Sequence, residues 1–150
     1  MSFEPRNPDF EARVRGSFAR QAAMGLIGAR LTTVEPGRVE IELPVRDDLG
    51  QQHGFVHGGI VGMIADSAGG YAAFTLMPVD ASVLTVEYKV NMIAPAEGEL
   101  LVARGEVLKP GRSLSVVRAD VWARRGGAET RVAAMQQTLM VMQGMPDERI

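Results

Sequence analysis

The sequence has no cysteine in its 150 residues. Disulfide bonds, thiolate nucleophiles and cysteine-based metal or iron–sulfur sites are therefore excluded. Aromatic residues make up only 5% of the chain, so neither an aryl-stacking pocket nor a fatty-acyl tunnel is indicated. Neither sign of charge dominates, since 16 basic residues stand against 18 acidic ones. The basic residues are scattered rather than clustered, and we expect no nucleic-acid partner.

The chain also lacks an evident targeting or membrane segment. Residues 1–6 contain no apolar run of the kind that a signal peptide requires, so we expect a cytoplasmic protein. Residues 58–77 are long enough to cross a bilayer, but they include five glycines and the charged Asp66. A carboxylate at the bilayer centre is unfavourable, and we therefore expect no membrane partner.

What the chain does contain is the composition of a globular domain, with 46% apolar residues. Asn7 followed by Pro8 predicts the start of a short N-terminal helix, with Pro8 at its first position. An apolar stripe follows at a spacing of four residues, in Phe10, Val14 and Phe18. We therefore assign residues 1–24 to a helical segment that precedes the main domain.

Alternating apolar and polar residues predict strands on both sides of one long apolar helix. A hairpin is expected at Pro36-Gly37, because these residue types suit a type II turn. Four strands should follow the helix, over 83–92, 100–107, 114–122 and 131–141. In the first of them one face should carry Leu84, Val86, Tyr88, Val90 and Met92, and the other Thr85, Glu87, Lys89 and Asn91.

This order of elements predicts an α+β domain over residues 25–142, followed by a tail over 143–150. We expect a curved antiparallel sheet of about six strands that wraps around the single long helix. The sheet can cover only part of that helix, and its glycine and alanine positions permit close approach of a second chain. A homodimer is the expected assembly.

Asp66 is the only charged residue between His57 and Asp80, in a stretch that is otherwise apolar or small. A carboxylate in such surroundings needs either a hydrogen-bonding partner or a chemical function. Ser67 points about 100° away around the helix, which favours a structural role for it. No strand–turn–helix elbow surrounds a serine, so a Ser-His-Asp triad is not supported.

The segment from Gln51 to Gly59, followed by an acid nine residues after His57, resembles the hotdog-fold acyl-CoA thioesterases. The similarity is greatest to the branch with the phenylacetate-pathway and 4-hydroxybenzoyl-CoA thioesterases, and it covers roughly residues 25–142. The resemblance implies hydrolysis of an acyl-CoA to a free acid and coenzyme A, with no cofactor beyond the coenzyme A of the substrate. It also implies a homodimer that assembles into a homotetramer.

For the thioester carbonyl, the resemblance implies a backbone N–H of Gly58 as the polarising donor, with Gln51 assisting. A helix N-terminus favours developing negative charge, and Gly59 beside Gly58 permits close approach of the backbone to substrate. His57 has two open interpretations, as the residue that orients the loop or caps the helix, and as a group that transfers a proton.

For the attack on the carbonyl, the resemblance makes Asp66 the nucleophile or general base and Thr85 the residue that places the water. Some members of the family carry Ser or Thr one turn after the acid, where this chain has Gly70. Arg112, at a hairpin turn, is expected to meet a coenzyme A phosphate. Each of these three residues also has a structural interpretation. Asp66 could be a hydrogen-bonded structural carboxylate, Thr85 an ordinary strand residue and Arg112 an exposed turn arginine.

Gly58 and Asp66 are eight residues apart, about 12 Å along one helix. Two groups that act on one carbonyl must each lie roughly 3 Å from it. We therefore hypothesise that they act from opposite subunits. His53, His57 and Asp66 could also suit a metal, but the intervening glycines disfavour the required helix and we expect none.

Two other functions remain open at this point. A protein of the same fold could bind acyl-CoA as a sensor without turning it over. A hotdog dehydratase is a weaker alternative, because no histidine follows the acid at short helical spacing.

Overall fold

The computed structural model describes residues 2–148. The helices are α1 (Phe10–Arg20), α2 (Ala22–Ile27) and α3 (Gly58–Phe74). The strands are β1 (Arg30–Glu35), β2 (Arg38–Pro44), β3 (Ala81–Met92), β4 (Leu100–Lys109), β5 (Leu114–Arg125) and β6 (Ala128–Gln143). A short 3-10 turn, Asp47–Leu49, lies between β2 and α3.

The six strands form one sheet in the order β1-β2-β4-β5-β6-β3, and every neighbouring pair is antiparallel. The predicted hairpin and the predicted β4-β5-β6 meander are both confirmed. The strand that follows α3 returns to the sheet beside β6, so β3 is an edge strand. The predicted α+β architecture, a six-stranded antiparallel sheet with one long helix, is confirmed.

Helix α3 packs on the inner face of the sheet. Val39, Ile41 and Leu43 of β2 alternate inward and are fully buried, as strand periodicity requires. At Gly105 of β4 the helix backbone comes so close that an added Cβ would lie 2.3 Å from the Ala68 carbonyl oxygen. Only glycine fits this position. No helix in residues 2–148 combines the length and the hydropathy that a membrane span needs.

The first hairpin is fastened to the end of α3. Gly37 adopts φ +78°, as the third residue of a type II turn requires. Its N–H donates to Thr75 Oγ1 at 2.7 Å, and the Thr75 hydroxyl donates to the Ala72 carbonyl at 2.6 Å. The buried hydroxyl of Thr75 therefore joins the turn to the last turn of the helix.

The N-terminal helix begins two residues later than the sequence predicted. The Asn7 side chain accepts a hydrogen bond from the Asp9 N–H at 3.0 Å in a turn that precedes the helix, and the helix itself begins at Phe10. The assignment of Pro8 to the first helical position is therefore wrong. Arg13 of α1 donates to the carbonyls of Pro78 and Ala81, which ties α1 to the segment before β3.

The prediction of strict alternation along β3 is also wrong. The register with β6 shifts between Thr85 and Glu87, so Val86 is an extra residue in the ladder. Before this bulge, Val83 and Thr85 face α3. After the bulge, Tyr88, Val90 and Met92 face α3. The bulge thus turns the Thr85 hydroxyl toward the helix, although the pattern assigned it to the same face as Glu87.

Candidate active site

Asp66 lies near the middle of α3 and is half-buried rather than enclosed. Its Oδ1 accepts two hydrogen bonds, from Thr85 Oγ1 at 2.7 Å and from Gln137 Nε2 at 2.9 Å. Its Oδ2 accepts no hydrogen bond from any residue within 2–148. One carboxylate oxygen is therefore held by two neutral donors, while the other is available.

The Asp66 carboxylate lines a cleft of about 380 Å³ between α1, α3 and β3. The walls of the cleft mix polar and apolar groups. Lining residues include Ser17 and Gln21 of the N-terminal helical region, Ser67 and Tyr71 of α3, and Val83 and Leu84 of β3. At the rim, Arg20 donates to Asp147 at 2.8 Å. The N-terminal helical region thus forms one wall of this cleft.

Hydrogen bonds hold the polar wall of the cleft in place. The Ser17 and Tyr71 hydroxyls lie 3.2 Å apart, and Ser67 Oγ donates to Gln21 Oε1 at 3.3 Å. Burial raises the pKa of the Tyr71 phenol, so this group is protonated at neutral pH. Ser67, for which a structural role was favoured, lines the same cleft as Asp66.

The N-terminus of α3 presents a free backbone donor. His57 caps the helix, since its Nδ1 accepts a hydrogen bond from the Gly59 N–H at 2.8 Å. The Gly58 N–H makes no hydrogen bond to any residue in the described part of the chain. The helix dipole adds partial positive charge at this end. The first turn can therefore accept an anionic or polarised oxygen at Gly58.

Gln51 lies in the loop before α3. The loop is closed by a hydrogen bond from the Gln51 N–H to the Phe55 carbonyl at 2.8 Å, and Gln51 Oε1 accepts from the His53 N–H. Gln51 does not line the cleft of Asp66 in the same chain.

Arg112 also lies away from the acid in the chain's own fold. It is exposed at the β4–β5 turn and lines a separate cleft of about 220 Å³ with Met77 and Pro78, beyond the C-terminal end of α3. Within one chain, the structure brings Asp66 and Thr85 together, and leaves Gly58, Gln51 and Arg112 elsewhere.

Gln137 is a site residue that the sequence analysis missed. It is fully buried in the middle of β6, where it contacts Asp66. A signal was present: Met135, Gln137, Leu139 and Val141 form the inward row of an alternating strand, and Gln137 is its polar member. Placing a buried polar residue opposite the one charged residue of α3 would have identified the pair.

A metal site does not arise from the histidines. His57 is directed to the helix N-terminus, and no group of three metal-ligating side chains converges anywhere in residues 2–148.

The fold and the position of Asp66 define a class of protein. It is the hotdog domain, in which a six-stranded sheet packs on one long helix, here with a carboxylate in the middle of that helix. Residues 53–143 match the family model described as the thioesterase superfamily. The chain belongs to the thioesterase superfamily, and it is a thioester hydrolase.

Known relatives agree with this assignment. A 1,4-dihydroxy-2-naphthoyl-CoA hydrolase of Listeria monocytogenes is 30% identical over 96 residues, 62% of this chain and 78% of the relative. The crystal structure of a thioesterase family protein from Silicibacter pomeroyi has a TM-score of 0.89 and 53% identity, covering 90% of this chain and 99% of that one. The E. coli PaaI protein of the phenylacetic acid degradation operon has a TM-score of 0.80 at 16% identity, covering 91% and 96%, and is similar in fold.

Proposed function

We propose that the protein hydrolyses an acyl-CoA to a free carboxylic acid and coenzyme A at a site shared between two subunits. Asp66 of one subunit supplies the acid, and the partner's Gly58 supplies the backbone N–H that polarises the carbonyl. The observation that carries this proposal is the way α3 runs along the free edge strand β3. The coenzyme A substrate is supported by the Listeria relative, whose name describes a CoA hydrolase.

One chain cannot present both groups to one carbonyl. Gly58 and Asp66 lie in the same unbroken helix, eight residues apart, and this separates their backbones by about 12 Å. A donor and a nucleophile must each lie roughly 3 Å from the reacting group. A second copy of the helix is therefore required.

Helix α3 and strand β3 run antiparallel to each other. Thr85 contacts Asp66, an added Cβ at Gly62 would lie 3.8 Å from the Tyr88 hydroxyl, and one at Gly58 would lie 3.4 Å from Met92 Cε. The midpoint between Gly58 and Asp66 is thus near the midpoint between Met92 and Thr85.

Because α3 and β3 are aligned in this way, pairing of β3 with the partner's β3 would bring groups of the two subunits together. If β3 pairs antiparallel with the partner's β3 about a two-fold axis near Tyr88, the partner's Met92 comes opposite Thr85. The helix start that rests on the partner's Met92 then approaches Asp66. One pairing of identical edges therefore completes two sites at once, because a two-fold interface repeats each contact.

The edge itself has the properties of a pairing surface. β3 is 12 residues long, and within residues 2–148 it pairs on one side only, with β6. Its large apolar side chains are about half exposed, namely Leu84, Val86, Tyr88 and Met92. A long exposed apolar edge strand is a template for pairing with another chain. A dimer through β3 would cover it, and assembly of two such dimers into a tetramer is part of the same proposal.

The reaction follows from these positions. The carbonyl oxygen of the thioester accepts a hydrogen bond from the partner's Gly58, which stabilises the charge that develops during attack. Asp66 Oδ2 either attacks the carbonyl carbon or takes a proton from water that does so. The carbon–sulfur bond breaks, coenzyme A leaves as its thiolate and takes up a proton, and water supplies the oxygen of the free acid.

The other site residues support this chemistry. Thr85 holds the Asp66 carboxylate and borders the path of the water, while Gln51 assists at the carbonyl from the partner's side. His57 orients the first turn of α3 by capping Gly59, which leaves the neighbouring N–H for substrate. Arg112 is proposed to meet a phosphate of coenzyme A at the cleft beyond the end of α3.

A panel of acyl-CoAs assayed by release of free thiol tests the proposed substrate class. The wild type should release coenzyme A and free acid in equal amounts, and Asp66→Asn should bind the best substrate but hydrolyse it poorly. Tight binding of acyl-CoA by the wild type without any turnover would contradict the proposal and favour a sensor. Unchanged turnover in Asp66→Asn would remove the acid from the mechanism.

A further inference from the structure

The inner face of β6 carries one polar side chain in an apolar row. Gln137 is fully buried between Met135 and Leu139, which are themselves buried. Its backbone pairs with Val117 on one side and Tyr88 on the other, so it lies inside the sheet and not at an edge. Burial of an amide in this position is unfavourable unless both of its polar atoms are satisfied.

Only one end of the Gln137 amide is satisfied. Nε2 donates to Asp66 Oδ1 at 2.9 Å and, more weakly, to the Asp66 carbonyl at 3.4 Å. Oε1 is buried and accepts no hydrogen bond from any of residues 2–148. An unsatisfied buried acceptor destabilises the folded state, and an apolar side chain of the same length would not have this defect. The stability of the fold alone therefore does not explain why an amide side chain is buried at position 137.

The helix is shaped to admit this side chain. Gly69 lies one turn after Asp66 on the same face of α3, and an added Cβ there would lie 1.9 Å from Gln137 Oε1 and 2.7 Å from its Cδ. For Gly70, its neighbour, an added Cβ would have no such contact within 4 Å to any side chain of the described residues. The missing side chain at Gly69 leaves the space through which the amide reaches the carboxylate.

We infer that Gln137 is a positioning residue for hydrolysis, which acts with Thr85 to immobilise Asp66 Oδ1 and to leave Oδ2 as the reacting oxygen. The inference rests on the proposed function, in which Asp66 is the acid. Both donors are uncharged, so they orient the carboxylate without neutralising it. Neither donor binds Oδ2, which accepts no hydrogen bond within residues 2–148 and can meet water or the thioester.

The test compares Gln137→Met with Gln136→Met. Methionine matches glutamine in length and removes both polar atoms, while Gln136 is the exposed neighbour on the opposite face of β6. In Gln137→Met we expect kcat to fall about ten- to a hundredfold, as loss of a hydrogen bond to a charged group predicts. KM should change less than about twofold. The melting temperature should not fall, because the unsatisfied Oε1 is gone; Gln136→Met should leave both constants unchanged.

A second variant keeps the test open if Gln137→Met does not fold. Gln137→Leu also removes the donating nitrogen, with a smaller apolar side chain, so kcat should fall in the same way. A double-mutant cycle with Thr85→Val should show coupling, because both residues hold the same oxygen. In an Asp66→Asn background, Gln137→Met should cause no further loss.

The outcomes separate this inference from the proposed function. If Asp66→Asn is inactive while both Gln137 variants keep the wild-type kcat, only the positioning role is overturned. A kcat loss that merely follows a fall in melting temperature, in both Gln137 variants, would also overturn it. If Asp66→Asn is as active as the wild type, the proposed function itself fails.

Discussion

Two carboxylates, which lie on opposite sides of the sheet, have contrasting hydrogen-bond partners. Glu129, on the outer face, receives a two-pronged contact from Arg104 at 2.9 Å to each oxygen and another from Arg124 at 2.8 Å. These hydrogen bonds, that of Arg104 foremost, lower the pKa of Glu129 to about 2. Asp66 lies between α3 and the inner face, where two neutral donors bind one of its oxygens and no residue in the described range 2–148 donates to the other.

In the proposed mechanism, this difference separates a structural carboxylate, Glu129, from a reactive one, Asp66. Both oxygens of Glu129 accept hydrogen bonds from guanidinium groups, which keep the carboxylate ionised. Glu129 therefore links β4, β5 and β6, and neither of its oxygens is available to act on a substrate. Asp66 has a fixed orientation, a free oxygen and a cleft in front of it. Uncharged donors can therefore orient a carboxylate and leave its negative charge uncompensated, whereas bound cations compensate that charge.

Exchanging each acid for its amide should give the largest contrast. Asp66→Asn should lower kcat by about 10²–10⁴-fold, the usual contribution of a positioned nucleophile or base, whereas Glu129→Gln should leave kcat unchanged. Thiol-release kinetics on purified protein measure both. An Asp66→Asn enzyme within a factor of a few of wild type, or an inactive but folded Glu129→Gln enzyme, would reverse the roles assigned to the two faces.

Removing the hydroxyl donor to Asp66 should give a smaller loss. Thr85→Val keeps the shape of the side chain and removes one of the two hydrogen bonds to Oδ1, so we expect kcat to fall about tenfold. Thr85→Ser keeps the hydroxyl and is the matched control. If the two variants have equal kcat, the hydrogen bond does not contribute.

The adjacent glycines of α3 offer a test by stability. Gly69→Ala should lower the free energy of unfolding by about 1–3 kcal/mol, because the new methyl group collides with the Gln137 amide and approaches Val117 at 3.2 Å. The new methyl group of Gly70→Ala meets no atom of residues 2–148 within 4 Å outside the adjacent turns of α3. The variant should therefore be neutral or stabilising by up to about 1 kcal/mol, as alanine favours helix. Thermal unfolding of the two variants measures the difference, and equal effects would count against the tight contact at Gly69.

The smallest effect should come from Glu129→Gln on stability. The pKa of Glu129 is lower in the folded protein, so its stabilisation is present above the ordinary carboxyl value of 4.5 and is lost as the pH falls toward about 2. Its side chain is 25% exposed and screened by solvent, and we expect only about 1 kcal/mol at neutral pH.

Denaturant titrations of the wild type and Glu129→Gln across this range check the prediction. The two curves should converge as the pH approaches 2, and added salt should reduce the gap at neutral pH. A gap that widens on acidification would contradict the assigned direction of the shift.

Local patterns were enough to predict most of the fold. The Pro36-Gly37 turn, the alternating strands and the long apolar stretch with its lone Asp66 each reflect short-range rules that hold in this chain. The bulge at Val86 depends on how β3 is paired with β6, which no local pattern reveals. For the same reason the side of the strand that Thr85 occupies was predicted incorrectly.

The candidate site was harder to predict because its parts are distant in sequence. Asp66 stood out as a charge among apolar residues. Gln137 did not, since it is adjacent to the exposed Gln136, and only its place in the apolar row of Met135, Leu139 and Val141 indicates that it faces inward. The pairing with Gly69 follows from three-dimensional packing alone.

The central claim, that each site is built from two subunits, is tested most directly by the activity of defined heterodimers. Gly58→Pro removes the proposed donor at a first helical position that tolerates proline, and His57 before it already has the extended ψ of 135° that proline requires. A heterodimer of Asp66→Asn with Gly58→Pro should recover about half of the wild-type activity, because one complete site forms by the two-fold arrangement. A heterodimer of wild type with a chain carrying both substitutions should be inactive. The opposite pattern, with the first inactive and the second half-active, would show that each subunit works alone.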